Sequence, residues 1–208
     1  MADACRYAQA LDLIDQVNSN DPAPEDDRGQ VSPRALLYGR RMSDMLDRYR
    51  PDASEVVRLA VRAQHVRRWE VPRSQFPMTR AGYHQWRTYL YGFHADAAAE
   101  LLQHAGYDEE TIQRVRAAID KRNLRTNPDT QTVEDVAALV FVEHYLADFS
   151  EQKPEYDEQK WIGILAKTWV KMSAAAKQFA LGGALQLPTD FLPLIERAIA
   201  ESAASGAS

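Results

Sequence analysis

The sequence predicts an all-α, single-domain helical bundle. Three observations carry that prediction. Apolar residues recur at three- and four-residue spacing along most of the chain, clusters of proline, glycine and serine punctuate those stretches, and no period-2 run bounded by hairpin turns occurs. The 208 residues have an ordinary globular composition, 45 % apolar and 26 % charged, with enough chain to bury a real core. That excludes disorder for most of the length.

The elements follow in order. Residues 7–17 place Tyr7, Ala8, Leu11, Ile14 and Val17 on one helical stripe, ended by the turn formers Asn18 to Pro22. Residues 22–32 read as a polar loop. Ser32 caps a helix that opens on Pro33 and runs to about Tyr49, stopped by Pro51. A third helix spans 54–69, with Val56, Leu59, Ala60, Ala63 and Val66 inward. After Pro72 and Pro77, Thr79 opens a long helix through Leu101, closed by Gly106. Residues 109–122 form a short amphipathic helix, and 123–131 a polar link. The most apolar stretch, 132–149, predicts a central helix covered on most sides. Helices over 158–178 and 192–203 follow, so the core spans about 7–203 and the Ala/Ser/Gly tail is expected to fray.

Composition narrows the function classes. No run approaches ~18 apolar residues, so no membrane span is expected. Single Cys5 excludes a disulfide framework and Cys-rich zinc modules, and it is a poor candidate nucleophile. The first residues lack an apolar signal core, so the expected location is cytoplasmic. Phosphate-loop, dinucleotide, zincin and nucleophile-elbow patterns are all missing.

Charge is uneven. Residues 34–87 hold twelve arginines, no lysine and five acids, a net +7 in a chain of net −5. An acidic protein with an arginine-rich inner segment suits a small anionic or phosphorylated ligand better than a nucleic acid. Guanidinium forks onto phosphate or carboxylate in a way that lysine does not. The alternative is a set of solvated helix faces paired with nearby acids.

At 100° per residue, Arg58, Arg62, His65 and Trp69 fall within about 60° of one another on the 54–69 helix. They either line an anion pocket or form an exposed cationic face. His94 shares a stripe with Tyr91, Ala98 and Leu101, with Arg87 two turns earlier, and reads first as a hydrogen-bonded core histidine. Asp135 points inward beside Leu139, Val142 and Leu146. It serves either a ligand or the Thr132 amide, through the T-x-x-D spacing of a capping box. Glu143 and His144, about 100° apart on a helix, do not easily share a site. Lys167 and Lys171 read as solvated lysines, with phosphate contact as the alternative.

The run LAVRAQHVRRWEVPRSQFPMTRAGYHQWR (59–87) resembles the hallmark of the family designated domain of unknown function 4202. NSNDP (18–22), LLYGRRM (36–42), FHA (93–95), GYD (106–108), EDVAALVFVEHYL (134–146) and KTWVKMS (167–173) match it in order. That family carries no activity to transfer. A more distant resemblance is to HD-domain phosphohydrolases: AQH at 63–65, His94, GY at 106–107 and ED at 134–135 fall where that superfamily places its elements. This resemblance implies an HD-domain-like bundle in which His65, His94 and Asp135 hold a divalent metal (manganese, iron, cobalt or zinc). Glu134 would be the general base, Arg58, Arg62 and Arg68 would neutralise phosphate, and Trp69 would stack on a base. The expected activity is a metal-dependent phosphohydrolase acting on a nucleotide or small phosphoester. His65 lies between Gln64 and Val66, so the His-Asp doublet is missing. The alternative is therefore a non-catalytic module that binds an anionic metabolite or RNA through Arg58, Arg62, His65, Trp69 and Arg80.

Overall fold

A computed structural model describes residues 2–27, 29–187 and 189–205. Helix dominates, as the periodicity predicts, and the one sheet among the described residues is a two-stranded hairpin. The chain clusters into two compact units, residues 1–133 and 134–208.

The first unit opens with α1 (Ala2–Asn18), followed by β1 (Pro24–Asp27) and β2 (Gln30–Pro33). The hairpin falls where the sequence suggests a polar loop. Its strands have no apolar alternation; charge holds them instead. Arg41, nearly buried, donates to Glu25 at 2.5 Å and to Asp27 at 3.1 Å, while Asp21 accepts from the amides of Ala23 and Ala35. Gly29, at φ 88°, supplies the left-handed turn residue.

Next come α2 (Arg34–Tyr49), α3 (Glu55–Ala63), α4 (Arg80–His104) and α5 (Glu109–Ile119). The Ser54, Thr79 and Asp108 side chains each accept an amide of the first turn that follows. The short helix α3 is central: α1, α2, α4 and α5 all pack on it. Its Leu59 and Val61 join Ile14, Met42, Met45, Leu46, Leu90, Leu102 and Ile119 in a fully buried core.

The helix expected over 54–69 stops at Ala63. Residues 64–67 form turns, the Val66 amide donating to the Ala63 carbonyl, and Arg67 in the left-handed conformation (φ 58°) separates them from the 3-10 turn Arg68–Glu70. Arg67 is held there by Glu70 and Glu100, and the preceding Val66 carbonyl is taken by His94. The four-residue stripe Arg58–Arg62–His65–Trp69 is therefore broken after its second member.

The boundary between the units falls inside α6 (Pro128–Val140), which starts four residues before the expected point. Asn127 caps it by accepting from the amides of Asp129 and Thr130, with Pro128 at the first helical position. Thr132 thus lies inside the helix, where its hydroxyl donates to the Pro128 carbonyl, and it does not open a capping box.

In the second unit the expected continuous helix changes pitch. Phe141–Tyr145 is a π-turn leading into α7 (Leu146–Glu151). That turn brings Glu143 and His144 to 3.2 Å, a pairing that ordinary helical spacing does not predict. Then follow α8 (Glu158–Lys171), α9 (Ala174–Leu181) and α10 (Leu192–Ser205), with α10 packed on α8. The expected 158–178 helix is divided at Met172, where Ser173 caps α9. Leu146, Trp161, Ile162, Leu165 and Ala198 form this unit's core, with Phe141, Phe149, Tyr156 and Phe191 around them. Of the tail expected to fray, 203–205 belong to α10 and 206–208 lie outside the described residues.

Candidate anion site in the first unit

Arg58 and Arg62, the two arginines of α3 expected to bind phosphate, are committed elsewhere. Arg58 donates to Asp47 (2.5 Å) and to the carbonyls of Pro51 (2.7 Å) and Ala53 (3.1 Å). Its hydrogen bond to Asp47 raises an already high pKa. Arg62 forks onto both oxygens of Asp15 at 2.7 and 2.6 Å and reaches Ser43 at 3.2 Å. These are interhelical clamps joining α3 to α1 and α2, so the first two residues of the predicted pocket are structural.

The turn after α3 gathers a different set. His65 stacks on Tyr38 of α2 with ring centroids 4.0 Å apart, and the Tyr38 hydroxyl donates to Gln64 at 2.8 Å. His94 of α4 lies 5.6 Å from His65, centroid to centroid. Its Nδ1 is 2.8 Å from the Val66 carbonyl oxygen, and because a carbonyl only accepts, Nδ1 carries the proton. Nε2 is then a bare lone pair, buried and without a hydrogen-bond partner. Burial, opposed in part by that carbonyl and reinforced by Arg68, lowers the His94 pKa to about 4. Burial also pushes His65 well below its ordinary value, helped by the positive charges of Arg68, Lys121 and Arg87 and by the nearby His94, which resists a second charge beside it. Both imidazoles are neutral at pH 7.

The cations are the notable part. The Arg68 guanidinium lies 4.8 Å from the Trp86 ring, whose Nε1 is fixed by the Val71 carbonyl at 2.9 Å. Burial lowers the Arg68 pKa. Arg87 donates to the Tyr91 hydroxyl at 3.0 Å and stands 6.0 and 5.8 Å from the rings of Tyr83 and Tyr91. Lys121, in a left-handed turn after α5, places Nζ 5.3 Å from the Tyr91 ring. Among the described residues, no carboxylate pairs with Arg68 or Arg87. Two guanidiniums withdrawn from bulk water with only rings and hydroxyls for company are an unusual arrangement. At an effective dielectric of about 20, an anion 4 Å away gains roughly 4 kcal/mol from each cation.

Local packing sets the geometry. A Cβ on Gly82 would meet the Pro77 carbonyl oxygen at 2.1 Å, so glycine lets the 72–79 loop lie against the first turn of α4. Arg73 ties that loop down by donating to the carbonyls of Phe76, Pro77 and Thr79.

The remaining predicted residues are dispersed. Trp69 is half-buried in the 3-10 turn, and Arg80 is exposed on the first turn of α4. Asp135, as inward-facing as its stripe predicts, belongs to the second unit. Its two carboxylate oxygens accept from the Ser173 amide (2.8 Å) and hydroxyl (2.6 Å), which fixes the α8–α9 junction. Glu134, also buried in that unit, faces Lys171 at 3.6 Å, and Lys167 is exposed.

The histidine pair does not fit the divalent metal implied by an HD-like reading. Arg68, Arg87 and Lys121 bring positive charge to it, and among the described residues no carboxylate pairs with Arg68 or Arg87. Among the described residues, no group of three or more His, Cys, Asp or Glu side chains is placed to hold a metal ion. Sequence reasoning identifies Arg68, His65 and His94 and places Tyr91 on the His94 stripe, but misses Tyr38 and Trp86 as neighbours of this cluster. Arg87 had been noticed only for its place on the His94 stripe.

No curated protein and no solved structure is detectably similar to the chain. A family described as Domain of unknown function (DUF4202) matches it over residues 8–195, nearly its whole length. The hallmark motifs at 59–87, 134–146 and 167–173 lie inside that match, and the chain belongs to the DUF4202 family.

Proposed function

We propose that the first unit binds a small anionic or phosphorylated group, best matched by a phosphate monoester, through Arg68 and Arg87 with Lys121 beside them. One observation carries this reading: two partly buried guanidiniums in contact with rings and hydroxyls and with no carboxylate partner. A dianion would supply the missing counter-charge, and His94 Nε2 would accept a hydrogen bond from a hydroxyl of the ligand or its protonated phosphate. No metal is needed for this binding.

The test is thermal denaturation in inorganic phosphate, with and without chelator. Ligand at a hundred times its Kd raises stability by about 2.7 kcal/mol. The expected result is stabilisation that survives chelator and disappears in Arg68→Met and Arg87→Met. Stabilisation retained in both variants would sink the proposal.

The competing reading, a metal-dependent phosphohydrolase acting on a nucleotide or small phosphoester, would have to seat its metal on the same bare Nε2 of His94 against the surrounding positive charge. It requires near-stoichiometric manganese, iron, cobalt or zinc that is lost in His65→Ala. Metal content by mass spectrometry separates the two readings.

A further inference from the structure

The helix that carries Arg87 and His94 has one face of a distinctive kind. At 100° per residue, Arg80, Tyr83, His84, Arg87, Tyr91 and His94 span about 100° of α4. The face alternates cations and rings along roughly 21 Å of helix at 1.5 Å per residue. It is graded: Arg80, Tyr83 and His84 are exposed, Arg87 and Tyr91 half-buried, and His94 buried. Tyr83 is 41 % exposed, yet its ring lies 6.0 Å from both Trp86 and the Arg87 guanidinium, so an open stacking surface adjoins the anion site directly. The 25 residues 71–95 contain three arginines, six aromatics and no acid at all. A compact phosphate ligand would use only the inner end of this track.

We infer that the ligand is the phosphorylated end of a single-stranded nucleic acid, its terminal phosphate at Arg68 and Arg87, its adjoining base on Tyr83 and the next phosphate near Arg80. This rests on the anion-site reading above. Aromatic rings interleaved with cations suit a strand because every base has a face to stack, whatever the sequence. A terminal phosphate carries close to two charges against one for an internal diester, and the two arginines favour the dianion.

Fluorescence anisotropy with single-stranded RNA octamers bearing a 5′-phosphate, a 3′-phosphate or neither tests this, with adenosine monophosphate and inorganic phosphate as competitors. One phosphorylated end should bind at least tenfold more tightly than the unphosphorylated strand, and at least tenfold more tightly than the mononucleotide. Tyr83→Ala should weaken the octamer about tenfold more than it weakens inorganic phosphate. Arg87→Gln should erase the preference for the phosphorylated end. Equal affinity for phosphorylated octamer and mononucleotide, or no preference for a phosphorylated end, would overturn the inference. If inorganic phosphate still binds in that case, the anion-site reading stands; if it does not, both fall. Circular dichroism melts of both variants establish that the fold is retained.

Discussion

The arginine-rich segment divides into two regions that the sequence does not distinguish. From Arg34 to Arg67, arginines meet carboxylates: Arg34 pairs with Glu25, Arg40 and Arg62 with Asp15, Arg50 with Asp52, Arg58 with Asp47, and Arg67 with Glu70 and Glu100. From Arg68 to Arg87 they meet carbonyls, rings and hydroxyls instead. The acids that pair the first region come from α1, the hairpin, the end of α2 and the turn after it, the 3-10 turn at Glu70, and α4. The second region turns away from them onto a face of α4 that carries none before Asp96. A run of arginines is therefore not one feature. Its partners decide whether each guanidinium is a strut or a receptor.

Arg62 and Arg68 put that contrast to its hardest test. Arg62 and Asp15 have side-chain exposures of 13 % and 24 %, and removing the cation strands a largely enclosed carboxylate between helices. Arg62→Met is expected to cost about 3 kcal/mol, the low end for a broken buried pair because Arg40 remains near Asp15. Arg68→Met keeps the stem over Trp86 and deletes a charge that has no carboxylate. Its folding stability should match or exceed that of the parent, while phosphate stabilisation is lost. Urea denaturation measures both; a large loss in Arg68→Met would mean that the second region is a strut as well.

Acid titration reads the same contrast through the histidines. With the folded-state pKa of His94 near 4 and an ordinary value of 6.5 when unfolded, the unfolded chain takes the proton first as pH falls. Stability is therefore complete above about pH 6.5, declines through the window down to about 4, and is flat for this group below it. The expected loss is about 3 kcal/mol, with His65 adding in the same direction. Saturating phosphate should shrink the decline, because a bound anion favours the charged imidazoles. His94→Phe should flatten it. An unchanged pH profile in that variant would remove His94 as the cause.

How much of this was legible in the sequence follows from the range of the forces involved. Helical periodicity and caps are local, so α2, α4 and α5 lie close to where spacing puts them and Thr79 opens α4 as expected, although Pro33 stands at the N-cap of α2 with no side-chain cap in place of the expected Ser32. The hairpin was not legible, because its strands are held by Arg41 across fourteen to sixteen residues and not by alternation. The stop at Ala63 was hidden for the same reason: its causes are His94 and Glu100, about thirty residues away. At the site, Arg68, His65 and His94 carried recognisable side chains. Tyr38 and Lys121 reach the cluster only because α2 and α5 pack on α3. The stripe reasoning failed at Trp69 because a face computed at 100° per residue has no meaning beyond a left-handed residue.

The smallest expected effect sharpens the boundary between the two regions. Tyr38 sits on α2, a helix whose arginines are struts, yet its ring stacks on His65 and its hydroxyl holds Gln64. Tyr38→Phe keeps the stacking and removes the donor, at an expected cost of about 1 kcal/mol. Gln64 is nearly buried, so its amide oxygen would be left without that partner. If Tyr38 belongs to the structural region, the loss appears in denaturation alone and phosphate affinity is unchanged. If the hydroxyl also sets the turn that positions Arg68, affinity falls by a few-fold along with stability. The second result is expected, because Gln64, His65 and Arg68 lie within five residues on one turn, and a shift at its first residue carries to its last.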